Sequence, residues 1–132
     1  MPIEASPELA VGEEADFDLA QSEFDAENYI EAAEMLNRFS QTYPDSPLIA
    51  EAHLLRGKAF EAVEDYKASA RAYLESYNTL KSPDALQRLS NSLISLGQME
   101  TGCQMLSQVE LLFPGTSYAA AAQSEMQRLQ CF

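Results

Sequence analysis

The sequence has 132 residues, 46% of them apolar and only 5 of them glycine, which is enough apolar material for the core of one folded domain. Its 21 acidic residues against 8 basic ones give a formal net charge of -13, so we expect the surface to repel phosphate and anionic lipid. We therefore expect neither nucleic acid nor bare membrane as a partner, and the acidity is interpreted either as a source of solubility or as an attraction for a basic partner. No apolar run approaches the roughly 20 residues of a membrane helix, so direct membrane insertion is not expected.

The chain begins with a leader, residues 1–12, that is rich in Pro, Glu and Ala and is expected to be disordered. Seven helices are predicted after it, and no stretch has the alternating pattern of a strand. The predicted helices cover residues 13–26, 28–42, 47–63, 65–80, 83–96, 98–113 and 117–130. Ser46 and Ser82, each followed by proline, are predicted N-caps, and Gly97 is predicted to end a helix.

Residue types recur along these helices at offsets of 37 and then 33 residues. The small residues form two columns, and a bulky residue follows the second column four positions later. The columns are Ala20, Gly57 and Ser90, then Ala32, Ser69 and Gly102, then Leu36, Tyr73 and Leu106. This pattern resembles the tetratricopeptide repeat of 34 residues, so we predict an all-α, tetratricopeptide-like helical repeat array of three helix-turn-helix pairs. The repeats cover about 13–46, 47–82 and 83–116, and the helix at 117–131 is predicted to cap the last pair.

The sequence contains no recognisable catalytic motif, so no enzyme activity, cofactor or metal is predicted. His53 is the only histidine, which rules out a pair of histidine ligands, and it is interpreted as a structural residue packed against the following helix. Neither a Gly-rich phosphate loop nor a zinc-binding spacing is present.

A partner is instead expected in the concave groove that the first helices of such pairs line. The predicted groove residues are Phe17, Gln21, Phe24, Leu54, Lys58, Glu61, Gln87, Arg88 and Asn91. Lys58, Arg88 and Asn91 offer directed donors to a carboxylate or to backbone carbonyls, and Phe17 and Phe24 offer apolar contacts. The alternative interpretation is that the polar members are solvated surface groups.

Cys103 and Cys131 lie on the sixth helix and near the end of the capping helix, which is expected to run antiparallel to it. Two states remain open on this reasoning. A disulfide would staple the cap to the last repeat and imply an oxidising compartment, whereas the alternative is a buried free thiol and a reactive one near the terminus.

Several segments resemble a known family in their order and spacing. They are residues 70–76 (ARAYLES), 82–86 (SPDAL), 96–98 (LGQ) and 113–116 (FPGT). The resemblance covers about residues 13–131 and is to the C-terminal repeat domain of the Tol-Pal-associated periplasmic YbgF/CpoB family, in particular its alphaproteobacterial branch. Residues 43–46 (YPDS) and the two cysteines fit the same branch.

The resemblance implies a non-catalytic periplasmic protein that binds TolA and helps coordinate septal peptidoglycan synthesis with outer-membrane constriction in cell division. The peptidoglycan synthesis machinery is a further implied partner. The TolA stalk in such systems is rich in lysine and alanine, which suits the acidic surface. The family also has a signal peptide and an N-terminal coiled coil, so the chain is expected to be a fragment. The alternative is another repeat scaffold, similar to an outer-membrane assembly lipoprotein or a cytosolic secretion chaperone.

Overall fold

The computed structural model describes residues 5–131, with side chains from residue 12 onward, and folds them into seven α-helices. The helices are α1 (Ala5–Asp25), α2 (Tyr29–Thr42), α3 (Ile49–Ala62), α4 (Tyr66–Thr79), α5 (Pro83–Ser95), α6 (Met99–Leu112) and α7 (Ser117–Leu129). No strand occurs among these residues. The all-α, tetratricopeptide-like repeat array predicted from the sequence is confirmed.

The first helix is longer than predicted, because α1 begins at Ala5 instead of residue 13. Residues 5–12, predicted as part of a disordered leader, therefore belong to this helix, while residues 1–4 lie outside the described residues. Ala, Glu and Leu favour helix, and Pro7 falls in the first turn, where proline is tolerated. The weak hydrophobic periodicity of this segment concealed its helical propensity.

Side-chain caps fix the start of several helices. The Ser82 hydroxyl accepts a hydrogen bond from the Ala85 amide at 3.1 Å, which confirms the predicted N-cap. The N-cap predicted at Ser46 is wrong, since α3 begins at Ile49 and the Ser46 hydroxyl accepts from the Leu48 amide at 3.0 Å instead. Pro44 and Pro47 each lie in a turn, at residues 44–45 and 47–48, and the helix forms only after the second turn.

The columns of small residues lie where the helices approach most closely, as predicted. A Cβ atom added at Gly57 would stand 2.5 Å from the ring of Tyr73, which is itself fully buried. The Ser69 and Ser92 hydroxyls meet at 2.7 Å in the buried contact between α4 and α5. These positions have no space for larger side chains, and this fixes the spacing of the stack.

The helices stack in chain order into two layers. Each helix packs on the next, and the first helices of neighbouring pairs also contact one another, α1 with α3 and α5 with α7. The odd-numbered helices therefore form the inner layer and the even-numbered helices the outer layer. One core cluster centres on Phe39 and Leu36 in the first repeat, and the other on Tyr73, Leu106 and Val109 in the later ones.

The last helix covers the end of the array. α7 packs on α6 and α5, and its Ala119 and Ala122 are buried there. A disulfide joins Cys103 on α6 to Cys131 just after α7, with 5.7 Å between their Cα atoms. Of the two states left open by the residues, the structure has the staple.

Candidate functional site

The inner layer of odd-numbered helices carries the predicted groove residues, and most of them are accessible there. Seven are half-buried, Asn91 is exposed, and Phe17 is buried. The half-buried members are Gln21, Phe24, Leu54, Lys58, Glu61, Gln87 and Arg88. The prediction that these positions line one accessible surface is therefore consistent with their burial, except at Phe17.

The aromatic residues assigned to the groove serve mainly as core. Phe17 is 8% exposed and packs edge-on against Phe39 of α2, with 5.7 Å between ring centroids. Phe24 packs against the same core cluster and lies edge-on to Tyr29 at 5.2 Å. The expectation that Phe17 offers an apolar contact to a partner is wrong, because its ring fills the space between α1 and α2.

Two polar contacts lie at the inner surface, one between α3 and α4 and one within α5. The Tyr73 hydroxyl of α4 donates to the Glu61 carboxylate of α3 at 2.5 Å. On α5, the Arg88 guanidinium donates to the Asp84 carboxylate at 2.8 Å. Burial, then the hydrogen bond to Glu61, raises the pKa of Tyr73 far above its usual range, so the phenol stays protonated and donates.

The Arg88 guanidinium is therefore already paired with Asp84 when no partner is bound. Burial is the largest single influence and lowers the pKa of its guanidinium, but Asp84 and Tyr73 together more than offset this effect, so the pKa is raised. The pair holds the Arg88 side chain along α5. An incoming carboxylate would have to compete with Asp84 for the guanidinium.

Some polar side chains of the inner surface, on α3 and α5, have no hydrogen-bond or ion-pair partner among the described residues. Among the described residues, Lys58, Gln87 and Asn91 make no hydrogen bond or ion pair within the chain. Gln21 differs, because its amide donates to Asp25 at 3.1 Å on the same helix. An ammonium group and two amides supply both donors and acceptors, which suits recognition of a peptide backbone.

His53 lies away from this surface, in the contact between α3 and α4, as predicted. Its Nδ1 atom is 3.1 Å from the Arg56 guanidinium, which also pairs with Glu75 of α4. Burial, and then the charge of Arg56, lowers the pKa of His53 below its usual value, while Glu75 acts in the opposite direction. The histidine is therefore a neutral structural residue at pH 7.

The charge of the chain is distributed unevenly along the array. Residues 13–46, the first repeat, contain ten acidic residues and one basic residue. Residues 47–82, the second repeat, contain five of each. The negative field is thus strongest around α1 and α2, where it would attract a basic segment.

Two other kinds of site find no support in the part of the chain that the structure describes. No group of three or more potential metal ligands occurs between residues 5 and 131. None of the helices there is long and apolar enough to cross a bilayer.

Sequence reasoning missed the partners that hold the groove residues in place. Asp84 stands four positions before Arg88, the spacing of an ion pair on a helix, so this contact was readable from the sequence. The Tyr73 hydroxyl was not predictable in the same way, because its partner Glu61 lies on another helix and depends on the stacking angle.

Comparisons with known proteins agree with this architecture. Residues 14–46 match a family model described as Tetratricopeptide repeat. A sequence comparison with curated proteins gives no significant match.

Solved structures resemble most of the chain. The second tetratricopeptide domain of human RPAP3, determined by NMR in complex with the HSP70 peptide SGPTIEEVD, has a TM-score of 0.73 and 19% sequence identity over 85% of this chain and 92% of that one. PcrH from Pseudomonas aeruginosa has a TM-score of 0.77 and 13% identity over 91% of this chain and 92% of that one. These similarities agree with a tetratricopeptide-type fold.

Proposed function

We propose that this chain is a non-catalytic binding module of the periplasmic Tol-Pal system. In this proposal it binds TolA and helps coordinate septal peptidoglycan synthesis with outer-membrane constriction in cell division. The observation that carries the binding role is the row of unengaged polar side chains, Lys58, Gln87 and Asn91, on successive first helices of the array. The family resemblance supplies the identity of the partner.

The disulfide between Cys103 and Cys131 supports the proposed compartment. Disulfides persist in oxidising environments such as the bacterial periplasm and are rare in the reducing cytosol. The bond closes 28 residues of chain and fixes α7 against α6. A cytosolic scaffold would need neither cysteine in bonded form.

The acidic first repeat supports a basic partner. Its ten acidic residues against one basic residue would attract a lysine-rich segment and speed the encounter. The peptide bound to RPAP3, in contrast, contains two glutamates and an aspartate. We therefore propose a basic ligand for this chain, held through its backbone by Lys58, Gln87 and Asn91 and through its lysines by the carboxylates of the first repeat.

Isothermal titration of the disulfide-bonded chain with the periplasmic part of TolA tests the proposal. The informative variant replaces both Lys58 and Asn91 with alanine, and leaves Arg88 unchanged because its pair with Asp84 helps to order α5. If these contacts are central to the complex, the Kd should rise at least about fivefold, equivalent to about 1 kcal/mol. Arg38→Ala, at an exposed position of α2 in the outer layer, is the matched control.

Each outcome separates the possibilities. Binding that weakens in the double variant and not in the control supports TolA as a ligand of the inner surface. Binding that is equally strong in all three proteins places TolA elsewhere on the chain. Absence of binding to TolA rejects the proposed function and favours the alternative of a repeat scaffold with another partner.

A further inference from the structure

The outer face of α4 is basic, although the chain as a whole is strongly acidic. Lys67, Arg71 and Leu74 lie at i, i+4 and i+7 on one exposed face of this helix, and Lys81 follows shortly after its end. Three of the chain's 8 basic residues are therefore on one outward-facing surface. Within the described residues none of the three forms an ion pair.

An apolar groove runs beside this basic face, between α4 and α6. It encloses about 400 Å³ and is lined mainly by apolar side chains. The lining residues are Tyr77, Leu86, Gln104, Met105, Gln108 and Leu112. Leu112 is 51% exposed at the end of α6, and Leu74 is 45% exposed on α4. The Lys81 ammonium lies 5.0 Å from the centre of the Tyr77 ring, so a positive charge stands at the rim of the groove.

Among the described residues, no carboxylate lines this groove. Glu75 is the only acidic residue of α4, and it pairs with Arg56 on the side that faces α3. The acidic residues of α6, Glu100 and Glu110, line the adjacent pocket between α6 and α7, which shares Gln104 and Gln108 with the groove. The groove therefore has the Lys81 ammonium beside Tyr77 at its α4 edge and is lined by uncharged side chains along α6.

The acidic first repeat does not cancel this local field. The helices α1 and α2, which carry most of the negative charge, are separated from α4 by α3 in the stack. Salt at about 0.1 M screens exposed charges over about 10 Å, so the carboxylates of the first repeat have little influence on a ligand in the groove.

From these contacts we propose that the outer face of α4 and α6 is a second docking surface, which binds an acidic amphipathic helix of a partner protein. The apolar side chains of that helix occupy the groove beside Tyr77, Met105 and Leu112. Its carboxylates pair with Lys67, Arg71 and Lys81. A helix laid into an apolar groove between two helices is a recurrent mode of recognition, and the flanking charges fix its orientation.

This surface is distinct from the inner layer and does not depend on TolA as a partner. The two surfaces prefer ligands of opposite charge, because the first repeat attracts basic segments and the α4 face attracts acidic ones. A module with both surfaces is able to hold two partners at once.

The test uses the disulfide-bonded chain and a fluorescein-labelled helical peptide with leucine at positions i, i+3 and i+7 and glutamate at the flanking positions. Fluorescence anisotropy gives the Kd, and two-dimensional NMR of the labelled protein maps the contact. Reversal of charge in the triple variant Lys67→Glu, Arg71→Glu and Lys81→Glu is expected to weaken binding at least tenfold, about 1.4 kcal/mol. Arg38→Glu, on the outer face of α2, is the matched control and should change the Kd by less than about twofold.

A second variant tests the apolar contact without altering charge. Leu112→Ser, at a half-exposed position, should leave the circular dichroism spectrum unchanged and weaken the peptide several-fold, since burial of the leucine side chain is lost. A peptide with lysine in place of every glutamate should not bind to this groove.

Several results would overturn the proposal. One is equal binding of the glutamate peptide to the wild type and the triple variant, and another is an NMR map on α1 and α3. A third is a wild-type protein that floats with phosphatidylglycerol vesicles and fails to bind the peptide, while the triple variant does not float. That result would identify the surface as a lipid-binding one. Self-association in sedimentation experiments that the triple variant abolishes would identify a second copy of the chain.

Discussion

Replacement of Gly57 by alanine is expected to destabilise the array, although alanine is the better helix former. The added methyl group would stand 2.5 Å from Tyr73 Cε1 and 2.6 Å from Cδ1, well inside van der Waals contact. The Tyr73 ring is fully buried, and its hydroxyl is held by Glu61, so it cannot move aside freely. Overpacking of this kind costs about 1–3 kcal/mol, against a gain of about 1 kcal/mol in helix propensity. The net loss in the free energy of unfolding is therefore up to about 2 kcal/mol.

Urea denaturation followed by circular dichroism measures this loss, and Gly102→Ala provides the comparison. A methyl group at Gly102 would also meet a side chain at 2.5 Å, but there the neighbour is the partly exposed Ile94, which can change rotamer. Gly102→Ala should therefore cost less than Gly57→Ala. In a background that carries Tyr73→Leu, the cost of Gly57→Ala should shrink. A gain in stability from Gly57→Ala in the wild-type background would refute the close approach of α3 and α4.

Three further predictions concern stability. Replacement of Cys103 and Cys131 by serine should lower the free energy of unfolding by roughly 3.5 kcal/mol in the chain-entropy model, because the bond closes a loop of 28 residues. A loss of less than about 1 kcal/mol in urea denaturation would contradict a capping helix held by the disulfide. Tyr73→Phe removes the hydrogen bond to Glu61 and should cost about 1–2 kcal/mol by the same assay, whereas an unchanged midpoint would speak against that bond. Because the folded pKa of His53 lies below its usual 6.5, its contribution to stability is present above pH 6.5 and is lost as the pH falls through the folded pKa. His53→Gln should flatten this part of the curve of thermal midpoint against pH, and an identical curve would contradict the assignment.

Most helices were predictable from the sequence because small residues and prolines recur from repeat to repeat. Ser82 before Pro83 defines the start of α5, and the structure uses the same serine as its N-cap. The start of α1 was not predictable in this way, because residues 5–12 have helix-forming residues but little hydrophobic periodicity. Helix propensity, and not a clear apolar face, accounts for the helix at these residues.

The candidate site was only partly predictable, because helical register gives the direction of a side chain but not its depth. Lys58 and Asn91 are accessible as predicted, yet Phe17 is buried against Phe39 of the neighbouring helix. The bond between Cys103 and Cys131 depended on how α7 crosses α6, and residue counts along two helices do not encode that angle. Contacts between repeats therefore required the three-dimensional structure.

The central claim is that the inner layer of this array binds a basic protein segment, for which we propose TolA. Two-dimensional NMR of the disulfide-bonded chain during titration with the periplasmic part of TolA tests it most directly. We expect saturable shifts at the amides of α1, α3 and α5, including Lys58 and Asn91. Unchanged spectra at the highest TolA concentration, or shifts confined to the outer face of α4 and α6, would contradict it.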